Sequence, residues 1–551
     1  MPELTFNNLN QFFEEICSIY RDRQCLGDVS GTVLTYGQVF EKVSELSTQL
    51  SSVNIGAGDR VAILAVNSPQ WVIAYFAIIR LGGTVVPILT DFRDQDIANV
   101  FAEARVKAVF SCENHIQRVR GLRQKDLLVL PINFIFSDNP QEFGALEDPD
   151  MVGGIPHGNS AVGDAGAIAS IIYTSGTSGH SKGVILNHAN FLANLDSAST
   201  LMNIQPSWRF LSVLPLSHAY EFSIGLLFPL RHGAAIYYLL NRPTPTVLQR
   251  ACAIVRPEVV CMVPLLLEKI YKKKVQPLLT DNLLCKGIIK IPWCEKLLLK
   301  ILGRKVLDFF GGRIKLFAIG GAALNSKVED FLKKSELPYL LGYGLTEAAP
   351  LIAGGPFGDP AIATGSVGKI IPHVEIRLTE VDKAGGICEI LVRGPNITRG
   401  YLNNKELSRE SITPDGWLKT GDLGFMDPQK NLVLTGRVKN VIVLSSGENI
   451  YPEEIEDYIY EFLSVSEGLV RENNGKLEVL VVPDYEYIAA KYDLAVQDIA
   501  MGGAQVVLDE IDMVRREINS RLPSYAKIHS GQEHPDPLVK TATHKVKRYL
   551  Y

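Results

Sequence analysis

Residues Tyr173 to Val184 read Y-T-S-G-T-S-G-H-S-K-G-V. They follow Ala167 to Ile172, an apolar run with β-branched residues that predicts a buried strand, so the stretch is a loop leaving the edge of a sheet. Five hydroxyls, three glycines and one lysine fall within eleven residues. Gly176, Gly179 and Gly183 lack the Cβ that would keep backbone N–H groups away from a ligand. Thr174, Ser175, Thr177, Ser178 and Lys182 add donors, and such a set suits a polyphosphate. A Walker loop is excluded because its lysine directly follows a glycine, and here Ser181 precedes Lys182.

Outward from this loop toward the N-terminus, the chain alternates between strand and helix patterns. Val61 to Val66, Thr84 to Leu89 and Val106 to Ser111 read as strands, and Trp71 to Leu81 and Ile97 to Ala104 as helices. The alternation predicts an α/β fold with doubly wound sheets. Trp71 to Leu89 is long enough to suggest a membrane span, but Arg80, Gly82, Gly83 and Pro87 interrupt it.

Toward the C-terminus, Leu214 to Glu221 reads L-P-L-S-H-A-Y-E after the strand-like Phe210 to Val213. Two compact strand patterns end in glycines: Ile314 to Ile319 before Gly320-Gly321-Ala322, and Pro338 to Leu341 before Gly342-Tyr343-Gly344-Leu345-Thr346-Glu347. Ligands of open α/β sheets gather at such carboxyl ends, so both loops are expected at the crevice that holds the phosphate loop. Val374 to Leu378 and Cys388 to Gly394 read as strands of a small β region, followed by Gly416 to Asp422 and by Gly436-Arg437-Val438-Lys439-Asn440. Pro452, Glu453 and Glu454 open a helix with the right first-turn charge, and the chain closes on T-A-T-H-K-V-K-R from Thr541 to Arg548.

The motifs together resemble the acyl-adenylate-forming (AMP-binding) superfamily, and most of all its long-chain fatty acid CoA ligases. The first stretch resembles the family's S-G-T-T-G-x-P-K-G, with Ser178 for a threonine and Ser181 for the proline. Gly342 to Glu347 matches G-Y-G-x-T-E, and the tail matches T-x-T-G-K-[IV]-x-R with His544 for the glycine. The resemblance implies that Thr174 to Gly179 and Lys182 bind ATP phosphates, with Gly320, Gly321, Ala322 and Gly344 beside the nucleotide. Tyr343 would stack on adenine, Thr346 touch the α-phosphate, and Glu347 ligate Mg²⁺. Asp422 and Arg437 would hold the ribose, His218 would lie by the acyl carbonyl, and Phe222 would gate the acyl tunnel. Lys545 would be the catalytic lysine. Ser446, Gly447 and Glu448 would line the thiol's approach, and Lys439 would be the hinge between an adenylation domain at 1–435 and a mobile small α+β domain at 436–551. A small β-barrel would close the N-terminal region.

The implied activity converts a carboxylic acid and ATP to acyl-AMP and pyrophosphate, then passes the acyl group to CoA. No aspartate occurs between Leu214 and Leu230, where amino-acid-activating relatives place one, which favours a plain medium- or long-chain fatty acid. The alternatives are a ligase loading the phosphopantetheine of an acyl carrier protein and, from another class, a nucleotide-binding module without turnover. Composition agrees with a multidomain globular enzyme: 551 residues, 46% hydrophobic, net charge −5, with no basic excess for a nucleic acid partner. Eight scattered cysteines and an N-terminus without a signal-peptide pattern point to a cytoplasmic protein with reduced thiols. The Leu-, Ile- and Lys-rich segment 272–310 reads either as a solvated amphipathic pair or as a peripheral membrane contact.

Overall fold

The computed structural model describes residues 6–122, 127–136, 164–175, 181–240, 243–280, 291–382, 386–444, 448–500, 504–540 and 546–551. Two large sheets dominate. The first has six strands in the order Leu128–Pro131, Ala108–Ser111, Arg60–Leu64, Thr84–Pro87, Ile168–Ser175 and Ser181–Asn187. All but the last run parallel, and the last returns antiparallel as a hairpin partner of Ile168–Ser175.

The second sheet has nine strands. Six central ones, from Tyr339–Gly344 through Leu316–Gly320, Val259–Met262, Arg209–Ser212 and Ala235–Tyr238 to Gln24–Asp28, are parallel, and antiparallel strands close both edges. Helices are shared between the two sheets, so Val61, Val85 and Ile172 of one lie in the same core as Leu26, Ile236 and Leu316 of the other. Parallel strands buried on both faces read as unbroken apolar runs, which is why the sequence pattern found them.

The helix Pro69–Arg80 shows what its apolar composition is for. Ser68 caps it by accepting from the Trp71 N–H, proline takes its first turn, and every residue from Trp71 to Ile79 is buried. It is an interior helix between sheets, and among the described residues no helix is long and apolar enough to cross a membrane.

The region expected to be a small β-barrel is an open four-stranded antiparallel sheet, Glu375–Asp382, Ile387–Arg393, Leu418–Met426 and Leu432–Arg437 in sequence order. Its first and last strands form the two edges and do not pair with each other. The reason is size: the four strands bury one apolar face against Tyr343, Ala348 and Ile352, and need no closure of the sheet to do so.

After Arg437 the character changes. Val465–Asn473, Lys476–Pro483 and Ile528–Glu533 form a three-stranded sheet covered by the helices Pro452–Ile459 and Gln505–Arg521. Ile455, Ile459, Val479, Ile511 and Val514 give this part a core of its own. It rests on the large region through polar bonds. Asn325 Nδ2 donates to the Asp457 backbone and side chain at 3.0 and 2.7 Å, Ser326 Oγ donates to Asp457 Oδ2 at 2.8 Å, and Lys327 pairs with Glu461 at 2.6 Å. An interface of this kind can be broken and remade at small cost.

Candidate active site

The hairpin Ile168–Ser175/Ser181–Asn187 pairs Ser175 with Ser181 and Thr174 with Lys182. Lys182 therefore sits on the returning strand rather than in the loop. Gly176, Thr177, Ser178 and Gly179 lie outside the described residues. Thr174 Oγ1, at the foot of the loop, is buried without a hydrogen-bond partner, and an orphaned hydroxyl at the root of a phosphate-type loop fits an anionic oxygen.

Lys182 Nζ lies 3.0 Å from Glu347 Oε1 and donates at 3.0 Å to Tyr401 Oη, which in turn donates at 2.8 Å to the same Glu347 oxygen. The lysine also rides over the Tyr401 ring, 4.4 Å from its centroid. Burial alone would push the Glu347 carboxyl up, but Lys182 and the hydrogen bonds it accepts outweigh that and hold it below the usual carboxylate range. The Lys182 ammonium moves the other way: burial lowers it, and Glu347 and Tyr401 more than restore it. Both groups are thus charged at neutral pH.

The turn carrying Glu347 is clamped from several elements. Asn194 Nδ2, on the helix His188–Ser199, and Asn396 Nδ2 both donate to the Ala348 and Leu351 carbonyls. Ser223 Oγ donates to the Ala349 carbonyl at 2.8 Å, and the Thr398 N–H donates to the Glu347 carbonyl at 2.7 Å. Gly344 permits the turn: a Cβ there would lie 1.9 Å from the Pro350 carbonyl oxygen. Thr346 begins the short 3₁₀ turn Thr346–Ala348.

Across the same strand end lies a second charged group. Tyr343 Oη donates to Asp422 Oδ2 at 2.8 Å, and Arg437 Nε pairs with Asp422 Oδ1 at 2.8 Å. The strand register sets Asp422 directly opposite Arg437. Gly320 ends the strand beside Tyr339–Gly344, Gly321 and Ala322 follow it, and Gly321 adopts φ +90°, a left-handed conformation that favours glycine.

His218 lies on a turn held by Asn67, whose Nδ2 donates to the Leu214 carbonyl at 2.6 Å and whose Oδ1 accepts from the Leu216 N–H at 2.8 Å. The π-helical Glu221–Leu227 follows. Phe222, on its first turn, is buried among Tyr75, Phe191 and Trp71 with centroids 4.5, 5.0 and 6.3 Å away. Lys439 is exposed in the 3₁₀ turn Val438–Asn440 between the open sheet and the C-terminal core. The Glu448 carbonyl accepts from the Leu444 N–H, while Ser446 and Gly447 lie outside the described residues.

Lys545 lies outside the described residues as well. Its neighbours do not: Lys540 and Val546 are bridged on either side of 541–545, and the Lys547 N–H donates to the Val539 carbonyl. Lys547 lies within electrostatic reach of Asp96, and Tyr549 of Arg93. Those residues begin the helix Asp94–Ala104, which follows the carboxyl end of Thr84–Pro87, an interior strand parallel to Ile168–Ser175, from whose own carboxyl end the phosphate loop leaves. The last residues of the chain thus lie near the start of the helix Asp94–Ala104.

Comparison with known proteins gives the family. Residues 13–402 match the family profile described as AMP-binding enzyme. The chain belongs to the AMP-binding enzyme family. It is 28% identical to the peroxisomal long chain acyl-CoA synthetase 6 of Arabidopsis thaliana, over 98% of this chain and 84% of that protein. It is 30% identical to long chain acyl-CoA synthetase 1 of the same plant, over 82% of this chain and 74% of that one. In structure it is similar to the o-succinylbenzoate CoA synthetase of Bacillus subtilis in complex with ATP and magnesium, with a TM-score of 0.74, 21% identity and 98% of each chain covered. The chemistry of this family member is that of an AMP-forming acid–CoA ligase, with ATP, Mg²⁺ and CoA as its reactants and metal.

A single ionised carboxylate at Glu347 fits Mg²⁺, a hard ion that keeps most of its ligands as water and phosphate oxygens. No larger metal-ligating cluster occurs among the described residues. Tyr401, Asn194, Asn396, Ser223 and Asn67 escaped the sequence analysis, because they act through contacts between segments far apart in the chain. The one local hint was the glycine before Tyr401.

Proposed function

We propose that the chain activates a long-chain fatty acid as its acyl-AMP and transfers the acyl group to CoA, with Lys545 serving the first half-reaction and the C-terminal domain turning about Lys439 between the two. The observation that carries this reading is the pair of carboxylates flanking one strand end, Glu347 joined to Lys182 and Asp422 joined to Arg437. The first set handles phosphates and the second a ribose.

A fatty carboxylate and ATP are both anions, so their encounter needs positive groups already in place. A carboxylate oxygen attacks the α-phosphorus, the bond to the bridging oxygen breaks, and pyrophosphate leaves. Lys182 and the loop amides hold the departing phosphates, and Glu347 would hold Mg²⁺, which neutralises charge on the phosphate oxygens. Tyr343 packs beside the adenine, Asp422 accepts from the ribose hydroxyls with lone pairs that Tyr343 and Arg437 leave unused, and Thr346 lies at the α-phosphate. Lys545 bridges the carboxylate and the α-phosphate, with His218 beside the acyl carbonyl. In the second half-reaction the CoA thiolate attacks the acyl carbon and AMP leaves. Ser446, Gly447 and Glu448 line its approach once Lys545 has swung away.

A fatty acid is supported by the names of the curated relatives and by the apolar, largely buried Phe222 to Leu230 segment. Phe222 would have to leave its aromatic cluster to open an acyl tunnel. A panel of acids from acetate to oleate, scored by pyrophosphate release, tests the reading. Turnover only with short or aromatic acids overturns the fatty acid, and thioester formation on a holo-carrier protein but not on CoA overturns the acceptor. Lys545→Ala is expected to lower acyl-AMP formation by about a hundredfold or more while leaving supplied acyl-AMP convertible to thioester. Equal loss of both steps refutes the division of labour.

A further inference from the structure

The helix Pro292–Phe309 carries an apolar row on its solvent face. Trp293, Leu297 and Ile301 recur every four residues and are 71%, 55% and 45% exposed. Lys296, Lys300 and Arg304 recur at the same spacing one step around the helix, so an apolar row and a basic row run side by side. On the opposite face Leu299, Leu302 and Val306 are buried in the second core of the large region. A helix that only covers a core keeps its outer face polar. Three aligned apolar side chains in water gain nothing from the fold, and such a patch marks a contact.

Charge decides what the contact is. The chain as a whole carries −5, yet this face is locally positive. Lys296 and Lys300 share one carboxylate, Glu336, at 3.8 and 2.8 Å, while Arg304 and Lys305 stand exposed beyond it. A second copy docking through the same patch would set these cations against their own kind. An anionic bilayer satisfies both rows: tryptophan favours the headgroup boundary, leucine and isoleucine dip into the acyl region, and lysine and arginine stay with the lipid phosphates.

We propose that the outer face of the helix Pro292–Phe309 is a docking surface for an anionic lipid bilayer. The contact stands on the helix itself. Its benefit, collecting a membrane-dissolved fatty acid, rests on the reading of the active site given above.

Flotation of the full chain with vesicles of phosphatidylglycerol and phosphatidylcholine, against phosphatidylcholine alone, tests it. The protein is expected to float with the mixed vesicles, less so as salt rises. The basic-row variant Lys296→Gln/Lys300→Gln/Arg304→Gln should partition about a hundredfold more weakly, at about fivefold per charge. The apolar-row variant Trp293→Ser/Leu297→Ser/Ile301→Ser should not float at physiological salt. Both should keep the pyrophosphate release seen with the best water-soluble acid. Absence of flotation by the unaltered chain, or undiminished flotation of the apolar-row variant, overturns the proposal. So does a halving of molar mass by light scattering in that variant, which would make a second copy the occupant. Should the triple variant fail to fold, fluorescence decides: a blue shift on adding vesicles that Trp293→Phe removes supports the contact, and no shift refutes it. Flotation without pyrophosphate release from any acid would instead sink the proposed activity and leave the surface standing.

Discussion

Glu347 and Asp422 are near-copies in composition and opposites in wiring. Each buried carboxylate holds one tyrosine hydroxyl and one cation at 2.8 to 3.0 Å. At Glu347 the tyrosine and the lysine converge on the same oxygen, Oε1. At Asp422 they are divided, Tyr343 on Oδ2 and Arg437 on Oδ1. The first arrangement leaves the other oxygen uncommitted by these partners and uses a lysine, a point charge on a flexible stem that can turn to a phosphate. The second spreads its partners evenly and uses arginine, whose planar fork holds one geometry. Under the proposed roles, the carboxylate that would take a metal is wired from one side, and the one that would receive two hydroxyls is wired from both.

The two should therefore fail differently. The largest effect is expected from Glu347→Gln, which removes the charge offered to Mg²⁺ and should lower kcat for acyl-AMP formation by about a hundredfold. Pyrophosphate release in single-turnover mixing would measure it, and a change confined to the KM for ATP would erase the contrast. Next comes Asp422→Asn, expected to raise the KM for ATP by about tenfold with kcat nearly kept, because a neutral acceptor weakens binding before and during the reaction alike. Steady-state kinetics across ATP concentrations decide it.

The tyrosines sharpen the comparison. Tyr401→Phe should raise the Mg²⁺ concentration needed for half-maximal rate by about tenfold, the loss of one hydrogen bond to a charged group. Tyr343→Phe should leave Mg²⁺ dependence unchanged and weaken ATP several-fold. Titrating Mg²⁺ at saturating ATP separates them, and identical curves would mean that the oxygen-by-oxygen wiring does not matter.

A third carboxylate has neither tyrosine nor cation. Glu221 is fully buried, neither oxygen makes a hydrogen bond of good geometry, and burial, only partly offset by the nearby Ser212 hydroxyl, drives its pKa from 4.5 up to about 8. Below pH 4.5 folded and unfolded chains both hold the proton, so the folded state loses nothing. As pH rises toward 8 the unfolded chain sheds it first, and stability falls through that window. Glu221→Gln should therefore raise Tm at pH 8 by a few degrees (about 1 kcal/mol or more for a large protein) while changing it little at pH 5. Equal shifts at the two pH values in thermal melts would show that the group is ionised and paired after all.

Much of the architecture was legible because its cause is local. Val61 to Val66 and Ala108 to Phe110 are short apolar runs without alternation, as interior strands of a covered parallel sheet require. Pro452 with Glu453 and Glu454 announced a helix start, which is where Pro452–Ile459 begins. The helices Pro69–Arg80 and Pro292–Phe309 are both apolar-rich. One proved wholly interior and the other half outside, a distinction that depends on what packs against each and not on their own residues. The expected barrel was the reverse case: two of its four strands were read from the sequence, but whether edges meet is a property of the sheet's size and register.

Residue order alone determined which groups are present and in what sequence they come: the glycine-spaced hydroxyl loop, the Gly-Tyr-Gly turn with its glutamate, the late aspartate and arginine, the closing lysine. These depend on chemistry and spacing within a dozen residues. Only the tertiary structure decided that Tyr401 stands between Lys182 and Glu347, 219 and 54 residues away in the chain, and that it shares one oxygen with the lysine. Hydrogen bonds have reach and direction in space but none along the sequence, so partners this distant are chosen by the fold.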